Sequence, residues 1–102
     1  MNKFNTQSYF PYFPMSNEFI ENYMIKSNPN FVIIYIYILK KTMENKIINM
    51  DEISNNLNLL SSDIVKSLQY WQNNNLIKFT IINNIIDIEY FEVPSNSNNN
   101  VN

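Results

Sequence analysis

Apolar and polar positions alternate most regularly near the end of the chain, on either side of Asn83-Asn84. A two-residue turn there pairs Ile82 with Ile85 and sets Ile77, Phe79 and Ile81 opposite Tyr90, Ile88 and Ile86. These six apolar residues share one face, while Lys78 meets Glu89 and Thr80 meets Asp87 on the other. Asparagine tolerates the positive φ that a tight hairpin demands, and the cross-strand pairs are chemically matched. The pattern predicts a β-hairpin with one face in the core.

Upstream the period lengthens to that of helices. Ser61 or Ser62 opens a helix running to Asn74, with Ile64, Val65, Leu68 and Trp71 inward and Ser62, Lys66, Gln69 and Asn73 outward. Trp71 reads as a core residue, and Asn75 as a left-handed terminator where glycine is usual. Asn49 and Glu52 are spaced as a variant capping box at the head of another helix, whose buried face is Met50, Ile53 and Leu57. Asn58 to Leu60 turns between the two helices. The run Phe31 to Leu39 has the β-branched and aromatic composition of a strand, yet Asn28, Pro29, Lys40 and Lys41 are helix-end residues. The flanks predict a helix, apolar nearly all round and therefore central. Of Tyr35 and Tyr37, one hydroxyl must reach water or a partner. Ser16 caps a short helix to about Ile25, with Phe19, Ile20, Tyr23 and Met24 as its stripe. Before it, Tyr9-Phe10-Pro11-Tyr12-Phe13-Pro14 reads as extended.

The resulting order is extended arm, helix, helix, helix-turn-helix, hairpin. This predicts a mainly α chain with a β-hairpin (α+β): a winged helix-turn-helix with an extended N-terminal arm. The expected division is a flexible N-terminus over 1–9, the domain over 10–92, and a disordered tail or linker over 93–102. A length of 102 residues suits one domain with one modest core.

Composition removes several chemistries. Cysteine and histidine are absent, which excludes disulfides, thiolate zinc sites, a Ser-His-Asp triad and a Cys-His dyad. Glycine, alanine and arginine are absent too, and about one residue in five is asparagine, the signature of an AT-rich genome. Glu18/Glu21 and Asp51/Glu52 are ordinary partners of helix N-termini, and Asp87/Glu89 belong to the hairpin's polar face. No catalytic constellation remains, so neither an enzyme nor a cofactor is expected. No signal peptide is expected from the polar start, and the longest apolar run is far short of the roughly 20 residues that cross a bilayer. Together with the lack of cysteine, this predicts a cytoplasmic, membrane-free protein.

The stretch Pro14 to Phe79 resembles the N-terminal domain of the DnaD-like replication initiation proteins of low-GC Gram-positive bacteria and their phages. The resemblance rests on Asn17-Glu18-Phe19-Ile20-Glu21-Asn22-Tyr23-Met24, on the tyrosine-rich helix Val32 to Leu39, and on Asp63-Ile64-Val65-Lys66-Ser67-Leu68-Gln69-Tyr70-Trp71 followed by Asn75-Leu76-Ile77. It departs where the family has an acid after Tyr-Trp, basic residues next, and then glycine; here stand Gln72, Asn73, Asn74 and Asn75. The resemblance does not extend to the family's helical, DNA-binding second domain, which is expected to be missing from these 102 residues. The resemblance implies a winged-helix module of primosome assembly and helicase loading. Such a module self-associates as a dimer or higher homo-oligomer and contacts replication initiator or helicase-loading proteins.

Two sets of residues are candidates for function. Ser62, Lys66, Gln69, Tyr70, Asn73 and Lys78 would contact duplex DNA if the chain were a winged-helix transcriptional regulator, since Gln and Asn pair with adenine and lysine with phosphate. Against this, Ser61 to Glu92 holds two lysines and four acids, and the whole chain has formal charge -2. DNA contact is therefore expected to be weak, or made by the missing C-terminal domain. Tyr9, Phe10, Tyr12 and Phe13 form the second set, interface anchors on an arm able to join a neighbour's sheet.

Overall fold

Local chemistry starts and stops each element in the computed structural model, which describes residues 12–94. Ser16 Oγ accepts the Phe19 N–H at 3.1 Å and opens α1, Asn17–Asn22. This helix is shorter than the expected reach to Ile25, and a 3-10 turn, Met24–Lys26, takes over its last residues. Asn28 caps α2, Pro29–Met43, with Pro29 in the first turn and Lys40 and Lys41 in the last. The flanks have prevailed over strand propensity, and the helix continues four residues beyond Leu39.

Asn49 Oδ1 accepts the Glu52 N–H at 3.0 Å at the head of α3, Met50–Leu57. Asn58, at φ 58°, turns the chain into α4, Ser61–Asn73. At the head of α4 the Asp63 carboxylate accepts the Leu60 N–H at 3.3 Å. Asn75, at φ 64°, ends the helix as expected. The strands β1, Ile77–Ile82, and β2, Ile85–Tyr90, then pair antiparallel around Asn83 and Asn84, whose φ values are 51° and 69°. Every predicted cross-strand pair forms, from Ile77 with Tyr90 to Ile82 with Ile85. Over the described residues the result is an α+β arrangement of four α-helices and a two-stranded antiparallel hairpin.

The hairpin has a further neighbour that the sequence did not announce. Ile48 is buried, and its carbonyl accepts the Ile86 N–H at 2.8 Å. The Met50 N–H donates to Asn84 O, also at 2.8 Å, so the segment entering α3 lies along the tip half of β2.

An aromatic cluster fills the centre. Phe19 stacks on Tyr35 with centroids 4.1 Å apart, and Trp71 leans against both rings. Phe19 and Trp71 are fully buried, and Trp71 is the core residue its position predicted. The helices α2 and α4 approach closely because fully buried Ser67 occupies the crossing. The Phe31 carbonyl there accepts Trp71 Nε1–H at 2.9 Å and Ser67 Oγ–H at 3.4 Å. The face of α2 around Val32, Ile34, Tyr35 and Ile38 is buried, whereas Ile33 is 48% exposed, so α2 is central without being enclosed. Tyr35 is the inward tyrosine, and the hydroxyl of half-buried Tyr37 accepts from Asn56 Nδ2.

Burial raises the Tyr35 hydroxyl to about 12, helped by nearby Tyr23. It also raises Tyr90 well above its ordinary value, with Tyr35 adding to the effect. The Tyr90 hydroxyl donates to Tyr35 O at 2.8 Å. An unfolded tyrosine ionises near pH 10, so above that pH the unfolded chain releases protons that the folded chain keeps. Stability is therefore constant up to about pH 10 as far as these groups are concerned, and falls as pH rises towards about 12. The double variant Tyr35→Phe/Tyr90→Phe should flatten that decline in urea midpoints measured against pH. An unchanged slope would contradict the assignment.

Candidate functional site

Four of the predicted DNA-facing residues lie exposed along α4: Ser62, Lys66, Gln69 and Asn73. Helical spacing aligns them, and the core residues Ile64, Leu68 and Trp71 hold the opposite side. Tyr70 does not join them. Its ring is half-buried, 5.3 Å from Phe31 and 4.8 Å from Trp71, and its hydroxyl lies 2.8 Å from Ser27 Oγ. Sequence spacing set Tyr70 at the edge of the outer face, and the gain from packing a large ring drew it towards α2. The structure therefore places Tyr70 apart from the exposed row of α4. Lys78 is exposed on the solvent side of the hairpin, in register with Glu89.

That solvent side holds features absent from the sequence-based site. Ile82 is 68% exposed, Ile47 75% and Ile85 36%. Ile82 and Ile85 are directly paired beside the turn, and Ile85 bridges to Asn49. Asp87 and Glu89 continue this row towards the root of the hairpin. The signal was legible: Ile81-Ile82 and Ile85-Ile86 double the apolar residue where alternation calls for a polar one. A hairpin tip with exposed isoleucines and neighbouring acids is poorly matched to a phosphate backbone and well matched to another protein.

Of the arm residues, Tyr12 is exposed and Phe13 half-buried, while Tyr9 and Phe10 lie outside the described residues. Just after them, Pro14 and Met15 border a groove whose other walls include Leu39 and Met43 of α2, Tyr90 at the end of β2 and Phe91 beyond it. Among the described residues no group of three His, Cys, Asp or Glu side chains could hold a metal ion. No helix among them is long and apolar enough to cross a membrane. Glu44 is held below the usual carboxylate range by its hydrogen bond from Lys40, with Lys46 adding to the effect, and this trio is an exposed surface network.

Comparison with known protein families, curated proteins and solved structures finds no match to this chain.

Proposed function

We propose that this chain is a winged-helix domain of DNA-replication initiation, similar to the N-terminal domain of DnaD-like proteins, and that it works through self-association and protein partners. The order of helices and hairpin supports the winged-helix part, as does the Ile48–Met50 segment lying along β2. The replication part rests on the resemblance over Pro14 to Phe79. The observation that carries the choice of protein over DNA is the hairpin tip. Where a DNA-binding wing needs cations, it presents Ile82 and Ile85 with Asp87 and Glu89 behind them.

Light scattering of the chain across a range of concentrations tests self-association. A dimer or larger species is expected, reduced towards monomer by replacing the aromatics Tyr9, Phe10, Tyr12 and Phe13 with serine. A strict monomer at high concentration would count against assembly as its role.

The exposed row Ser62, Lys66, Gln69 and Asn73 favours a second reading, a transcriptional regulator with α4 in the major groove. Two lysines near that surface neutralise two phosphates, a slope of about -1.8 in log affinity against log salt. A fourfold rise in salt should then weaken binding only about tenfold, from an already low value. Tight, sequence-dependent binding lost on Lys66→Ala and Gln69→Ala would establish this second reading instead.

A further inference from the structure

The two edges of the hairpin are finished differently. On β1, the Phe79 N–H that points away from β2 donates to Gln72 Oε1 of α4 at 3.0 Å. On β2, the tip half is covered, since Ile86 N–H and Asn84 O are taken by Ile48 and Met50. In an antiparallel ladder successive residues direct their N–H and C=O groups to opposite sides. Phe91 N–H bonds inward to Leu76 O and Ile86 N–H bonds outward, so the N–H and C=O groups of Ile88 and Tyr90 point outward as well. Among the described residues they have no backbone partner. The segment through Ile48 and Met50 thus covers only half of β2, and among the described residues the root half of β2 is an open edge.

Grooves of 340 and 390 Å³ lie at the two ends of this edge. The last turns of α2 wall both of them, with Thr42 in the first and Leu39 and Met43 in the second, and both walls are largely apolar. Charge along the edge has one sign. Asp87 and Glu89 stand on the solvent face, and Glu18 and Glu92 border the second groove. Lys46, at the first groove, is already paired with Glu44, and no ion pair forms between Lys78 and Glu89.

We propose that the root half of β2 binds a short extended peptide segment in which basic and apolar residues alternate. Added as a strand, its backbone would pair with Ile88 and Tyr90. Its apolar residues would enter the grooves beside α2, and its lysines or arginines would face Asp87 and Glu89. Strand addition takes affinity from the backbone bonds and specificity from alternate side chains. A second copy of this chain pairing β2 on β2 is disfavoured. Such an antiparallel pair centred on Ile88 sets Asp87 of each copy against Glu89 of the other, and like charges directly opposite are destabilising. The proposal rests on the partner-binding part of the function given above. Light scattering and peptide titration can fail separately, so the two are distinguishable.

The test is an NMR titration of the full chain with an alternating lysine–valine heptapeptide. The expected result is a shift and slowed hydrogen exchange at the Ile88 and Tyr90 amides. Binding should weaken at least tenfold for the exposed-site variant Asp87→Lys/Glu89→Lys, and at least tenfold for the peptide N-methylated on its pairing edge. The N-methylated peptide leaves the protein untouched, so its result is independent of any effect of the variant on folding. Equal binding of a control heptapeptide with glutamate in place of each lysine, binding indifferent to N-methylation, or no change at the two amides would overturn the proposal. So would concentration-dependent protection of those amides without peptide, which would give the edge to a second copy.

Discussion

Trp71→Ala is expected to lower the stability of the domain by about 3–5 kcal/mol, the range for removing a buried large aromatic side chain. Single domains are stable by only about 5–15 kcal/mol, so much of the population unfolds near the lower bound. Two effects combine at this site. The fully buried indole contacts Phe19, Tyr35 and Tyr70, so its removal opens a cavity at the junction of α1, α2 and α4. Its Nε1–H also donates to the Phe31 carbonyl at the α2–α4 crossing, and without it Ser67 Oγ at 3.4 Å is the one side-chain donor left there. Trp71→Phe separates the two, because it keeps most of the volume and loses the bond. It should cost roughly 1–2 kcal/mol. Urea unfolding followed by circular dichroism measures both, and a loss below about 1 kcal/mol for Trp71→Ala would be incompatible with this core.

Phe19→Ala has a comparable expected cost, about 3–5 kcal/mol, with a different distribution. Phe19 is the one buried residue of α1, a helix of six residues. Isolated helices of that length do not persist in water, so α1 depends on the Phe19 ring stacked on Tyr35. The variant should release α1 before the rest of the domain unfolds. In hydrogen exchange, α1 amides should exchange much faster than those of α2 and α4, which retain Trp71, Ser67 and Phe31. Uniform acceleration across all four helices would show instead that α1 belongs to the same cooperative unit.

The contrast between these two sites bears on what could be read in the sequence. The hairpin was legible residue by residue, since a period of two leaves one register that separates apolar from polar faces. Helix ends were legible through Asn28, Asn49 and Asn75, because capping is local chemistry within a few residues. The reach of α1 was not, because Tyr23 to Lys26 satisfy helical and 3-10 geometry alike and packing decides between them. Ser67 gave no warning of its burial. A small polar residue belongs in a core only where two helices cross closely, which is a tertiary fact. Ile48 was missed for a similar reason, as its strand-like bonds are made to residues nearly forty positions away.

Within the candidate site, helical spacing correctly placed Ser62, Lys66, Gln69 and Asn73 on one exposed face. It failed for Tyr70, where the hydroxyl found Ser27 and the ring found Phe31. The exposed isoleucines beside the turn were visible as broken alternation, but their meaning depends on Ile47 arriving from another segment. The open edge of β2 depends on where the third segment departs, which no local pattern encodes.

The proposed preference for protein over DNA rests on surface chemistry more than on fold, and one spectrum examines it. Duplex DNA added to the isotope-labelled chain at physiological salt should leave the amides of Ser62, Lys66, Gln69 and Asn73 unmoved, while raising the protein concentration shifts those of the hairpin tip, Ile82 and Ile85, or of the arm. Saturable movement of the four α4 amides on a specific duplex, with none elsewhere as the protein is concentrated, would contradict the account.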